Sequence, residues 1–155
     1  MRLIEGEVNM SMGGYRLRRE FLAIFAAALV CVALERIWIV IFMSRWLSGI
    51  GRDRAWLSSQ HLSAGLLYAT ALLAAVVIAT TIELFTRLTG PHTAKRGIEV
   101  AVALWLGIEM STQATEFVFE RGPYSLFAIN AGFWLLGMIV MGAIVGGWGK
   151  AGNRE

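Results

Sequence analysis

The stretch from Phe21 to Met43, FLAIFAAALVCVALERIWIVIFM, decides the fold class. A helix needs about 20 mostly apolar residues to cross the hydrocarbon core of a bilayer. This stretch supplies them, and Glu35 and Arg36 are its only charged residues. Three further runs of the same kind follow, Ser63 to Phe85, Gly97 to Phe119 and Tyr124 to Trp148. The only two prolines, Pro91 and Pro123, fall between runs, where a missing N–H costs little. An open sheet cannot satisfy its backbone in lipid, which leaves helices. The pattern predicts an all-α integral membrane protein, a four-helix bundle running up-down-up-down with spans 21–43, 63–85, 97–119 and 124–148.

Composition agrees. Of 155 residues, 57% are hydrophobic and 16% charged, against about 45–50% and about 25% in soluble domains. So apolar a chain is not disordered. A single cysteine, Cys31, excludes an internal disulfide framework and a cysteine-based zinc site; at mid-span it reads as a small packing residue. The net charge is +3, but the basic residues flank the apolar runs and form no stripe, so no nucleic-acid face is expected. Residues 1–20 read as a polar, mobile tail and 149–155 as a short C-terminal tail. Arg16, Arg18 and Arg19 precede the first run as in a signal peptide, yet the run outlasts the usual h-region of about 7–15 residues. An uncleaved first span is expected.

Lys and Arg outside the spans set the orientation. The N-terminal segment, the second connection and the C-terminal tail carry nine: Arg2, Arg16, Arg18, Arg19, Arg87, Lys95, Arg96, Lys150 and Arg154. The opposite side carries four: Arg45, Arg52, Arg54 and Arg121. Both termini of this multi-pass chain are therefore expected in the cytoplasm. The first connection holds Trp46, Ile50, Trp56 and Leu57 and reads either as an interfacial segment or as a wet loop. The second contains the turn signal Gly90-Pro91, and the third, Glu120 to Pro123, is short enough to make spans three and four a hairpin.

Small residues mark close helix approach. Ala71, Ala75 and Ala79 recur every fourth residue in span two, and Gly142 and Gly146 do so in span four. Such spacing serves packing within the bundle or a subunit interface, and the first is favoured because the pattern is common in membrane helices. The expected partners are the lipid bilayer and either further copies of the chain or a larger membrane complex.

Charge inside the spans carries the functional signal, because an ionised side chain at the bilayer centre costs about 2.5–3.5 kcal/mol on insertion scales. On an ideal helix Glu109 and Glu116 lie about 20° apart, with Thr112, Gln113 and Glu120 within about 60° of the same line. Counting 1.5 Å per residue from each span centre places Glu109 about 2 Å, Glu35 about 5 Å, Arg36 about 6 Å, Gln113 about 8 Å, Asn130 about 9 Å and Glu116 about 12 Å outward of the midplane. Arg36 is thus the expected counter-ion of Glu109 or Glu116. Glu83 and Glu99 fall near the inner boundary, within reach of Arg87, Lys95 and Arg96.

Three readings fit the six residues Glu35, Arg36, Glu109, Gln113, Glu116 and Asn130. One is a hydrogen-bonded lock between helices. The second is a site that binds or transports a small ligand or protons, since a carboxyl without a cation is held protonated. The third is an enzyme on a lipophilic substrate, one glutamate acting as acid and another as base. The second is preferred, with an accessory subunit of a membrane complex as runner-up; the enzyme is disfavoured because the spans hold no histidine and no nucleophile–base pair. No cofactor and no metal is expected: His61 and His92 fall in loops on opposite sides, His92 reading as solvated, and Gly49-Ile50-Gly51 lacks the lysine and hydroxyl residue of a phosphate loop.

The run Glu116-Phe117-Val118-Phe119-Glu120-Arg121-Gly122-Pro123-Tyr124-Ser125-Leu126-Phe127-Ala128-Ile129-Asn130-Ala131-Gly132 and the ending Met141-Gly142-Ala143-Ile144-Val145-Gly146-Gly147-Trp148 resemble a family of small four-span bacterial membrane proteins catalogued as a domain of unknown function. The likeness covers about the last third of the chain. The family's aromatic motif at the end of span one is echoed here only by Ile37-Trp38 and Arg45-Trp46. The resemblance implies a four-helix fold in the bacterial cytoplasmic membrane and no particular activity.

Overall fold

A computed structural model describes the backbone of residues 2–148 and the side chains of residues 18–148. The C-terminal tail 149–155 lies outside the described residues. Among them there are helices and no strand: α1 (Arg2–Gly49), α2 (Arg54–Ser59), α3 (Ala64–Leu88), α4 (Ala94–Leu104), a π-helical segment (Trp105–Met110), α5 (Ser111–Glu120) and α6 (Tyr124–Trp148). Over residues 2–20, which the sequence reading sets apart as a polar tail, the backbone is helical and continuous with the first span. No proline interrupts it, and lengthening a formed helix needs no new nucleus, so Gly6, Gly13 and Gly14 do not end it.

Caps fix the other boundaries. Asp53 accepts from the Trp56 N–H at 2.8 Å and starts α2, Ser63 accepts from the Leu66 N–H and starts α3, and Thr93 accepts from the Arg96 N–H and starts α4. The connection before α4 turns at Gly90, whose φ is +153°; the Arg96 side chain occupies the space a Cβ would need and donates to the Thr89 carbonyl at 2.8 Å. Arg121, left-handed at φ 51°, closes α5, and Pro123 precedes α6.

Among the described residues, three helical segments are long and apolar enough to cross a membrane: Arg18–Gly49, Ala64–Leu88 and Tyr124–Trp148. The expected third span is helical but split. At 11 and 10 residues, α4 and α5 are each too short to cross alone.

The middle of the fold is α6, which packs on α1, α3 and α4. Arg19 reaches the Trp148 carbonyl, Cys31 lies beside Gly137, Trp38 beside Gly132, and Gly49 beside Leu126. So α1 and α6 run in opposite directions. The core joins Ala27, Ala28 and Cys31 of α1, Ala75, Ala79 and Ile82 of α3, Val100 and Ala101 of α4, and Phe133, Met138, Met141 and Val145 of α6. Its tightest contact is backbone to backbone. A Cβ on Gly97 or on Gly142 would overlap the other's carbonyl, and one on Gly146 would overlap that of Thr93. Gly142 and Gly146 therefore serve contact within this chain, with Gly97 as their counterpart.

Candidate functional site

Polar side chains gather in two places. The first is at the end of the fold that holds Arg19, the α3–α4 connection and Trp148, here called the basic end. Glu83 on α3 is 5% exposed. Its Oε1 accepts from Arg87 Nε at 2.8 Å and Nη2 at 2.6 Å, one helical turn on. Arg87 Nη2 also pairs with Glu20 of α1 at 2.7 Å. His92 Nε2 lies 2.9 and 3.0 Å from the two Glu83 oxygens. His92 is thus part-buried against a carboxylate and is not the solvated loop residue the sequence reading expects. The turn at Gly90-Pro91 folds the loop back onto α3, a closure that residue spacing alone does not announce. Further out, Arg96 and Lys95 pair with Glu99 at 3.1 and 3.8 Å.

The second place is the half of the fold nearer the α1–α2 and α5–α6 turns. Glu109 accepts from Gln113 Nε2, and this is the one contact the structure makes among the six expected residues. Arg36 is exposed, and among the described residues it forms no ion pair, so the expected bridge to Glu109 or Glu116 is not formed. Glu116 is exposed on α5, which buries none of its residues. Asn130 is half-buried and does not bond Glu116; the neighbouring Ala131 carbonyl accepts instead from Trp105 Nε1 at 3.1 Å. The physical reason is the π-helical segment. An extra residue in the turn breaks the 100° count across Trp105–Met110, so residues before and after it do not share the face an ideal helix gives them. The Ser111 hydroxyl, bonded to the carbonyl five residues back at Leu106, marks that register.

Glu35 makes none of these contacts. It is half-buried, and among the described residues it has no hydrogen-bond or ion-pair partner. It lines a groove of about 360 Å³ between α1, α3 and α6, with Cys31 and Val32, Thr70 and Ala71 of α3, and Phe133 and Trp134 of α6 among its walls. The flanking contacts Cys31–Gly137 and Trp38–Gly132 put Glu35 level with the middle of α6. The groove exists because α3 departs from its neighbours. Ala75 and Ala79 are buried, Ala71 is half-buried at the groove, and every residue from 61 to 70 is exposed. Trp38, Phe42, Phe133 and Trp134 form a chain of ring contacts beside it, with centroids 4.5 to 6.1 Å apart. A larger groove, about 590 Å³, lies over Phe21, Leu22, Phe25 and Val76 and has Arg18 as its one charged residue.

The molecule is thus an all-helical protein with helices apolar enough to span a membrane and a carboxylate at mid-height in a groove between them. The family model described as "Protein of unknown function (DUF1761)" matches residues 22–146, and the chain belongs to that family. The match takes in the first half of the chain as well as the signature near its end. No curated protein and no solved structure matches the chain.

Proposed function

We propose that the protein crosses the bacterial cytoplasmic membrane four times, with both termini in the cytoplasm, and binds a small ligand or a proton from the bilayer at Glu35. In this reading α4, the π segment and α5 together make the third span. The observation that carries the site is Glu35 itself: a carboxyl with no cation paired to it among the described residues, level with the middle of α6, in a groove whose walls are mostly apolar. Ionised there it is costly, so it either holds a proton or meets a cation. Glu109, held by Gln113, is a further half-buried carboxyl; Arg36 and Glu116 are exposed, and Asn130 is half-buried.

A neutral carbodiimide that partitions into lipid reacts with protonated carboxyl groups. In proteoliposomes, dicyclohexylcarbodiimide should modify Glu35, seen as a mass shift on its peptide, and should spare Glu83, which is buried and held by Arg87 and His92. Modification confined to other carboxyls, with Glu35 unreacted, overturns the site.

A second reading has one observation behind it. The helix α5 buries none of its residues, as expected of a face that an accessory subunit offers to a larger complex. That reading requires a stoichiometric partner on purification in mild detergent, lost when Val118 and Phe119 become serine.

A further inference from the structure

We propose that the ligand taken at Glu35 is a lipophilic organic cation, held by charge to the carboxylate and by its apolar body to the rings of Phe133 and Trp134. This rests on the reading that the groove draws its ligand from the bilayer, and it adds the chemical class.

Four observations point the same way. First, the carboxylate lacks a counter-charge among the described residues. Arg36 follows it in sequence, but one residue is 100° around a helix, and Arg36 is exposed and not among the groove's walls. Second, among the described residues Glu35 is the only charged side chain in those walls and Thr70 the only hydroxyl; an anion would meet repulsion there. Third, Phe133 and Trp134 face the groove, and a cation over an aromatic ring gains from its quadrupole, most when water is excluded. Fourth, the opening lies along α3 residues Leu66, Leu67 and Thr70, all exposed, so entry is from the side, through lipid. A small, strongly hydrated cation such as an alkali ion does not travel that way, whereas a delocalised one does. At about 360 Å³ the groove is within the range of small-molecule sites.

The test is equilibrium binding of radiolabelled tetraphenylphosphonium to the purified full chain in lipid nanodiscs, with neutral tetraphenylsilane as competitor. Expected is saturable binding that Glu35→Gln weakens at least about tenfold and Trp134→Leu about threefold to fivefold, with little competition from the silane. Ala71→Phe, which fills the groove and leaves Glu35 in place, should abolish binding. Each variant is accepted only if it elutes as a single species with a melting temperature near that of the parent. If tetraphenylphosphonium binds but Glu35→Gln leaves its affinity unchanged, or the silane competes equally, the groove is a ligand site and the cationic class is wrong. If neither compound binds saturably, both the class and the groove reading fall.

Discussion

The two ends of this fold are built on opposite terms. At the basic end, glycine lies on glycine, Ile82, Thr86 and Val145 are fully buried, and each charge near Glu83 has a partner. Toward the α1–α2 and α5–α6 turns, every residue from 61 to 70, the start of α3 included, is exposed, α5 buries nothing, and Glu35, Arg36 and Glu116 stand without ion pairs among the described residues. Both ends contain carboxylates. What differs is whether the backbone approaches closely enough to surround them. Where it does, a carboxylate becomes part of the scaffold. Where it does not, the carboxylate remains free to bind, and a rigid end is what allows an open one to persist.

The largest effects should come from forcing the tight end apart. Gly142→Leu places a side chain where the Gly97 carbonyl and the Ala101 methyl already lie. Neither is the flexible tip of a long side chain, so the helices must separate, and folded protein should be lost from detergent extracts, as size-exclusion chromatography would show. Next is the buried ion network. Glu83→Ala leaves the Arg87 guanidinium without its two short bonds and His92 without its acceptor. Removing one member of a buried pair costs about 3–5 kcal/mol, toward the lower figure here because Arg87 is part-exposed. The thermal midpoint should fall by several degrees. Glu116→Gln, at the open end, should leave it within error. Equal effects of the two substitutions would erase the contrast between the ends.

Much of this was readable from residue order. Apolar runs long enough to span, and the two prolines between them, gave the helical class. The four-residue spacing of Gly142 and Gly146 points to close approach, and Glu83 falls within reach of Arg87, Lys95 and Arg96, of which the structure pairs it with Arg87. Two things were not readable. The π-helical segment leaves no residue pattern, since Trp105–Met110 is as apolar as an ordinary helix apart from Glu109; the ideal-helix count across it therefore drew Glu109 and Glu116 onto one line that the backbone does not keep. Glu35 was recognised as a mid-span charge, but its groove depends on where α3 leaves α1, a property of two helices together. The same limit hid Gly97: a lone glycine signals nothing until Gly142 lies against it.

A smaller effect tests how the π segment is held. Trp105 donates its indole N–H to the Ala131 carbonyl, tying the start of the segment to α6. Trp105→Phe keeps most of the ring and removes the donor, at a cost of about 1 kcal/mol. The same variant should speed amide exchange in residues 105–110 and leave Ile82 to Arg87 unchanged. Exchange that rises equally in both places would mean that the two ends open together.

The smallest effect is the most diagnostic of the comparison. Gly107 lies within the π segment, and a Cβ built there meets nothing within 4 Å. Its φ is not in the left-handed region, so alanine fits without strain. Gly107→Ala should then stabilise slightly, by a few tenths of a kcal/mol to about 1 kcal/mol, because the unfolded chain loses freedom. Gly97→Ala adds the same methyl to the same kind of residue in the same expected span, and it should be destabilising instead, because the Gly142 carbonyl is in the way. Helix propensity favours alanine at both positions. Opposite signs in thermal unfolding would therefore report the packing around each glycine and nothing else, and like signs would mean that the close approach at the basic end is not what holds α4 to α6.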